Sequence, residues 1–100
     1  MTKAWLVVRA VVADAADRAA FDRWYCDEHL PDAVRAFSAC AAWRGWSLTD
    51  AAVHVANYGF DSIEAVEAIQ GSATIRALIA EFDRRWGDKV TRTREAITVA

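Results

Sequence analysis

The sequence predicts one α+β domain in the order strand, helix, strand, strand, helix, strand, with helices on one sheet face and a second copy of the chain on the other. Three observations carry this. Apolar runs rich in Val, Trp and Tyr stand at both ends of the chain and as a close pair in its middle. Stretches with helical periodicity separate them. The strands are apolar on both faces, and two helices can cover only one. The 100 residues, 55% hydrophobic and 26% charged, are enough for one core and exclude a disordered chain.

Lys3 to Ala13 reads as the first strand. Asp14 is placed to cap the helix that follows, with Asp17 in its first turn, and Ala20, Phe21, Trp24 and Tyr25 recur at helical spacing. That helix is expected to reach about His29. Pro31 pushes Leu30 toward extended geometry and starts a further short piece over Asp32 to Phe37. Cys40 to Thr49 and Ala52 to Phe60 read as the second and third strands, joined by a tight turn at Thr49-Asp50-Ala51. Asp61 with Glu64 resembles a capping box ahead of Ile63, Val66 and Ile69. Gly71 ends that piece and Ser72 caps the next, whose Ile75, Leu78, Ile79, Phe82 and Trp86 form an amphipathic stripe. Gly87 is expected to close it in the C′ position. Val90 to Val99 is the last strand. Short loops and right-handed crossovers make this order a ferredoxin-like βαββαβ domain with a four-stranded antiparallel sheet.

The two sides of the first strand are Leu6, Val8, Ala10, Val12 and Trp5, Val7, Arg9, Val11. In the third strand Val53 and Val55 oppose His54, Ala56, Tyr58 and Phe60, and Trp43 and Trp46 fall on opposite sides of the second. A face this apolar exceeds what a soluble monomer exposes. A two-fold homodimer, giving a dimeric α/β barrel, is the simplest cover. If Val53 and Val55 face the helices, His54 and Tyr58 point into the barrel interior.

Several function classes fall away. The net charge is −2 and no basic run is present, so neither nucleic acid nor an anionic membrane is an expected partner. The first apolar run, Ala4 to Ala13, carries Arg9 and is far below the ~20 residues that span a bilayer. No signal-peptide pattern precedes it, which makes the cytoplasm the default address and reduced thiols the expected state of Cys26 and Cys40. No Cys/His spacing fits a zinc site, no glycine-rich loop fits a phosphate, and no Ser-His-Asp order is present.

Phe21-Asp22-Arg23-Trp24-Tyr25-Cys26-Asp27-Glu28-His29-Leu30-Pro31 resembles the F-x-x-W-Y-x-x-E-H-L-P stretch of EthD-like proteins, in the dimeric α/β-barrel superfamily. Tyr58-Gly59-Phe60-Asp61-Ser62 with Glu64-Ala65 is similar to that group's Y-x-F-x-S-x-E-A segment. The resemblance implies two sheets closing one barrel, with a pocket in each subunit between helix and sheet. The superfamily includes cofactor-free monooxygenases of aromatic polyketides, polyketide cyclases, lactone isomerases, haem-degrading enzymes and proteins without a known reaction. A haem motif is absent here, and no cofactor is expected.

His29 follows Tyr25 by four residues and Phe21 by eight, on one helical stripe. At a helix C-terminus the dipole favours its protonated form, and the Pro31 break would leave it at a cavity rim as acid or base; it could equally cap its own helix. Glu28 shares the stripe of Trp24 and is expected in water, with an ion pair to Arg23 or Arg35 as the alternative. His54 and Tyr58 on one strand face suit proton transfer beside a carbonyl, or a hydrogen bond within a dimer interface. Arg9 either binds a substrate carboxylate or enolate or pairs with Glu95, and the same choice holds for Arg92 and Arg94. Asn57, Trp43, Trp46 and Tyr58 match the residue types that hold phenolic substrates in cofactor-free monooxygenases. Trp24 and Tyr25 would wall an aromatic site, or serve as core. The expectation is a small-molecule-binding barrel, a cofactor-independent enzyme of monooxygenase, cyclase or isomerase type acting on an aromatic or polyketide-like substrate. The alternative is a non-catalytic ligand-binding or structural homodimer.

Overall fold

Strand alternation decides which residues reach the helices, and the register shows the outcome. The computed structural model describes residues 1–100. Strands β1 (Ala4–Val12), β2 (Ala41–Trp46), β3 (Val53–Phe60) and β4 (Val90–Thr98) form one antiparallel sheet in the order β2-β3-β1-β4. This is the expected ferredoxin-like sheet. On one face Leu6 lies opposite Tyr58, Val8 opposite Ala56 and Ala10 opposite His54. That face carries the helices and the core, where Leu6, Tyr58 and Phe60 pack with Phe21, Tyr25 and Phe82.

The assignment of faces in β3 is therefore corrected. His54, Ala56, Tyr58 and Phe60 look toward the helices, and Val53, Val55 and Asn57 look away. Both sets are apolar, so β3 alone does not reveal its facing; pairing with β1 does. The large rings fill the thick helix–sheet layer, with His54 packed 5.2 Å from Phe21 and 4.7 Å from Tyr25 between ring centroids. The other face presents Trp5, Val7, Arg9, Val11, Asn57 and Trp43, and no element of the chain covers it. Trp43 is 57% exposed there, more than a folded monomer would gain from.

Asp14 accepts from the Ala16 N–H at 2.9 Å and starts a 3₁₀ turn, Ala15–Asp17. It leads into α1 (Arg18–Trp24), a π-helical turn (Tyr25–His29) and α2 (Leu30–Phe37). The expected break before Pro31 does not occur. Leu30 is helical (φ −62°, ψ −49°) and its N–H reaches the Tyr25 carbonyl, one residue farther back than in an α-helix. Proline lacks a donor and crowds the preceding turn; the wider π turn relieves the crowding and keeps the chain helical. Helix α2 ends at Ser38 in the left-handed region (φ 54°), a glycine-like cap without glycine.

Helix α3 (Ile63–Ile69) is capped by Ser62 rather than Asp61, its hydroxyl accepting from the Ala65 N–H at 3.1 Å. Helix α4 (Ala73–Trp86) is capped by Ser72 as expected. Gly87 keeps helical angles (φ −54°) instead of a left-handed C′. Its lack of a side chain serves close approach, since a Cβ would stand 2.6 Å from the Asp83 carbonyl oxygen. The β2–β3 connection is longer than a tight turn. Ser47 Oγ accepts from the N–H groups of Thr49 and Asp50, and Asp50 accepts from Ala52, supplying side-chain turns where no glycine is present. No helix is long and apolar enough to cross a membrane.

Candidate active site

The π turn sets the position of the first site residue. Its extra residue per turn brings His29 over Trp24, five positions back, with centroids 4.8 Å apart and ring planes 23° from parallel. The imidazole edge also meets Tyr25 (4.9 Å) and Phe82 (5.7 Å). His29 is 9% exposed and its Nδ1 has no hydrogen-bond partner. Burial, aided by the Arg92 charge and opposed by Asp32 and Glu81, lowers its pKa to about 4. The ring is therefore neutral near pH 7. The helix continues beyond it, so no C-terminal dipole favours its cation and the residue caps no helix end; its place at a cavity rim is kept.

His29 borders a cleft between helices and sheet, also lined by Tyr25, Tyr58, Phe82, Arg92 and Arg94. The rest of its wall is apolar, from β1, α2 and α4. The cleft holds about 30 Å³ of free space, room for roughly two waters. Leu78 and Ile79 of α4, only half-buried, form its outer side. At its base the Tyr25 and Tyr58 hydroxyls meet at 2.8 Å. Burial pushes Tyr25 up to about 12 and Tyr58 higher still, so both stay neutral and one hydroxyl proton is left free to donate.

The remaining expected site residues lie elsewhere. Trp24 sits beneath His29 rather than in the cleft wall. His54 is fully buried behind Tyr25, outside the lining. Its Nε2 faces Arg44 at 3.5 Å, its Nδ1 is unpartnered, and burial followed by the Arg44 charge lowers its pKa to about 4. Arg9, Trp43 and Asn57 occupy the uncovered sheet face, across the sheet from the cleft. Arg9 pairs with Glu95 at 3.3 Å, and Asn57 donates to the Trp43 carbonyl at 3.5 Å. Glu28 is exposed.

Sequence reasoning named one feature without placing it and missed another. Arg92 and Arg94 belong to the cleft; their cross-strand partners Ala10 and Val8 are small and apolar, a signal readable only with the register in hand. Asp22 accepts from Arg44 at 2.7 Å and from Trp46 Nε1 at 2.9 Å, tying α1 to the edge strand β2. These two bonds hold the Asp22 carboxyl below its usual range. No cluster of potential metal ligands is present.

No protein-family model and no curated protein matches the sequence. Solved structures do match. An EthD family protein from Bacillus halodurans is 14% identical, with 91% of this chain and 96% of that one covered and a TM-score of 0.63. HapK from Hahella chejuensis is 15% identical, with 97% and 92% covered and a TM-score of 0.69. SnoaB from Streptomyces nogalater, described as a cofactor-independent oxygenase, is 10% identical, with 100% and 95% covered and a TM-score of 0.65. The chain has the fold of these proteins. The EthD-like fold agrees with the resemblance carried by the Phe21–Pro31 motif.

The hydroxyl pair gives a measurable coupling in this EthD-like fold. Tyr58→Phe leaves the buried Tyr25 hydroxyl without its partner and is expected to cost about 1–3 kcal/mol in urea unfolding, as is Tyr25→Phe. The double variant should cost less than the two losses added together, because it leaves no orphan. Strict additivity would show that the hydroxyls do not satisfy each other.

Proposed function

We propose that the protein is a homodimeric, cofactor-independent enzyme that moves a proton on an aromatic or polyketide-like small molecule held in the helix–sheet cleft. One observation carries this reading: a neutral imidazole with an unpartnered nitrogen shares an apolar cleft with a free tyrosine proton. His29 takes a proton from an acidic C–H or phenol, and the Tyr25–Tyr58 pair donates to the oxygen where negative charge develops. The apolar wall strengthens both interactions by excluding water. Monooxygenation, cyclisation and isomerisation of such substrates share this first step. The oxygenase activity in the description of SnoaB supports the reading by analogy of fold. A ring-sized ligand needs the half-buried side chains of α4 to swing outward, since the cleft at rest holds only about 30 Å³.

That small free space is the observation favouring the alternative, a barrel whose polar groups serve structure alone. Anthrone, an aromatic ketone with an acidic methylene, separates the two. In D₂O the protein is expected to accelerate exchange at that methylene, and His29→Gln to slow it by roughly 10²-fold or more at unchanged melting temperature. Exchange at the buffer rate with the unaltered protein, or undiminished in the variant, would overturn the assignment.

The uncovered sheet face supports the homodimer. Trp5, Val11, Val55, Trp43 and Ile97 form an apolar field around the Arg9–Glu95 pair, and a second copy related by a two-fold axis buries it. Sedimentation equilibrium at micromolar concentration is expected to give about twice the 11.1 kDa chain mass. Trp43→Glu, at an exposed position, should yield a folded monomer. An 11.1 kDa species from the unaltered protein would contradict the dimer.

A further inference from the structure

We infer that Arg94 and Arg92 form an anion-binding subsite at the β4 side of the cleft, which selects substrates bearing a carboxylate on their aromatic or polyketide-like body. The inference rests on the proposed use of the cleft and adds the chemical class of what enters it. The two arginines stand two residues apart on β4, so both side chains leave the same face of the sheet and line the cleft. Across from them on β1 are Ala10 and Val8, which offer no counter-charge. Arg92 has an 11% exposed side chain lying over the Phe82 ring at 3.9 Å and a single carboxylate partner, Asp83, at 2.9 Å. Arg94 makes no ion pair. The other acids nearby are engaged elsewhere: Glu95 is on the opposite face with Arg9, and Glu81 pairs with Arg84. Two guanidinium groups thus share one acid beside an otherwise apolar wall.

A guanidinium fork matches the two oxygens of a carboxylate; the shielded Arg92 strengthens such a charge-assisted bond, and the exposed Arg94 offers an unpaired fork beside it. A ligand carboxylate here would also offset the Arg92 charge that helps to keep His29 neutral, and so raise the basicity of that ring once substrate is bound. The acid group on the substrate would both anchor it and prepare the base.

The test uses 1-hydroxy-2-naphthoate and its methyl ester, titrated into the ¹⁵N-labelled protein and into Arg94→Gln and Arg94→Lys. The acid is expected to bind the unaltered protein about tenfold or more tightly than the ester. Arg94→Gln should bring the acid down to the affinity of the ester and leave the ester unchanged, and Arg94→Lys should restore part of the preference. Equal affinities in the unaltered protein, a preference that survives Arg94→Gln, or binding of neither compound would overturn the subsite. An acid preference that moves Arg94 signals while those of His29, Tyr25 and Tyr58 stay still would leave the subsite standing and defeat the proposed function instead.

Discussion

Pro31 cannot donate a backbone hydrogen bond, and in a regular α-helix its ring would run into the carbonyl four residues back. The chain meets this constraint by widening one turn, with the Leu30 N–H bonded to the Tyr25 carbonyl. The extra residue moves His29 over Trp24, while Tyr25, one helical turn after Phe21, points inward to the Tyr58 hydroxyl. The position of His29 at the cleft thus follows from one local departure from α-helical geometry. Such π turns often accompany functional sites, because they aim a side chain where a regular helix would not.

Burial of two imidazoles without good partners carries a thermodynamic cost. Both His29 and His54 have folded pKa values lowered to about 4, against 6.5 for the free side chain. The unfolded chain therefore binds protons that the folded chain refuses. The penalty is absent above about pH 6.5, grows as the pH falls, and levels off near pH 4, where the folded rings also protonate. Asp22 acts with the opposite sign. Its lowered pKa gives stability that is present above 3.8 and lost only in stronger acid. The two differ in place: His29 carries this cost at the cleft wall, His54 in the closed core.

The strand–helix order and the ferredoxin-like sheet were legible because alternation and helical spacing are local signals. So were the caps at Asp14 and Ser72, where a short polar side chain precedes an apolar stripe. The facing of β3 was not, because Val53 and Val55 are as apolar as the set containing Ala56 and Phe60. Without the register, His54 could be placed in the barrel, and Arg92 and Arg94 could be put on one face of β4 but not on the cleft side. The π turn was hidden for a different reason. Proline normally breaks a helix, and the sequence carries no separate sign that the turn will widen instead. Ser38 is similar, since its left-handed cap lacks the glycine that would announce it. Within the site, the motif residues His29 and Tyr25 were found, whereas Arg9, Trp43 and Asn57 proved to share the sheet but not its face.

The central claim is that His29 is held neutral in the cleft by burial. Side-chain NMR titration of the imidazole nitrogens, with His29 assigned by its absence from the His29→Gln spectrum, measures this directly. The account predicts protonation with a midpoint near pH 4. A midpoint at or above 6.5, the value of an unburied imidazole, would contradict it.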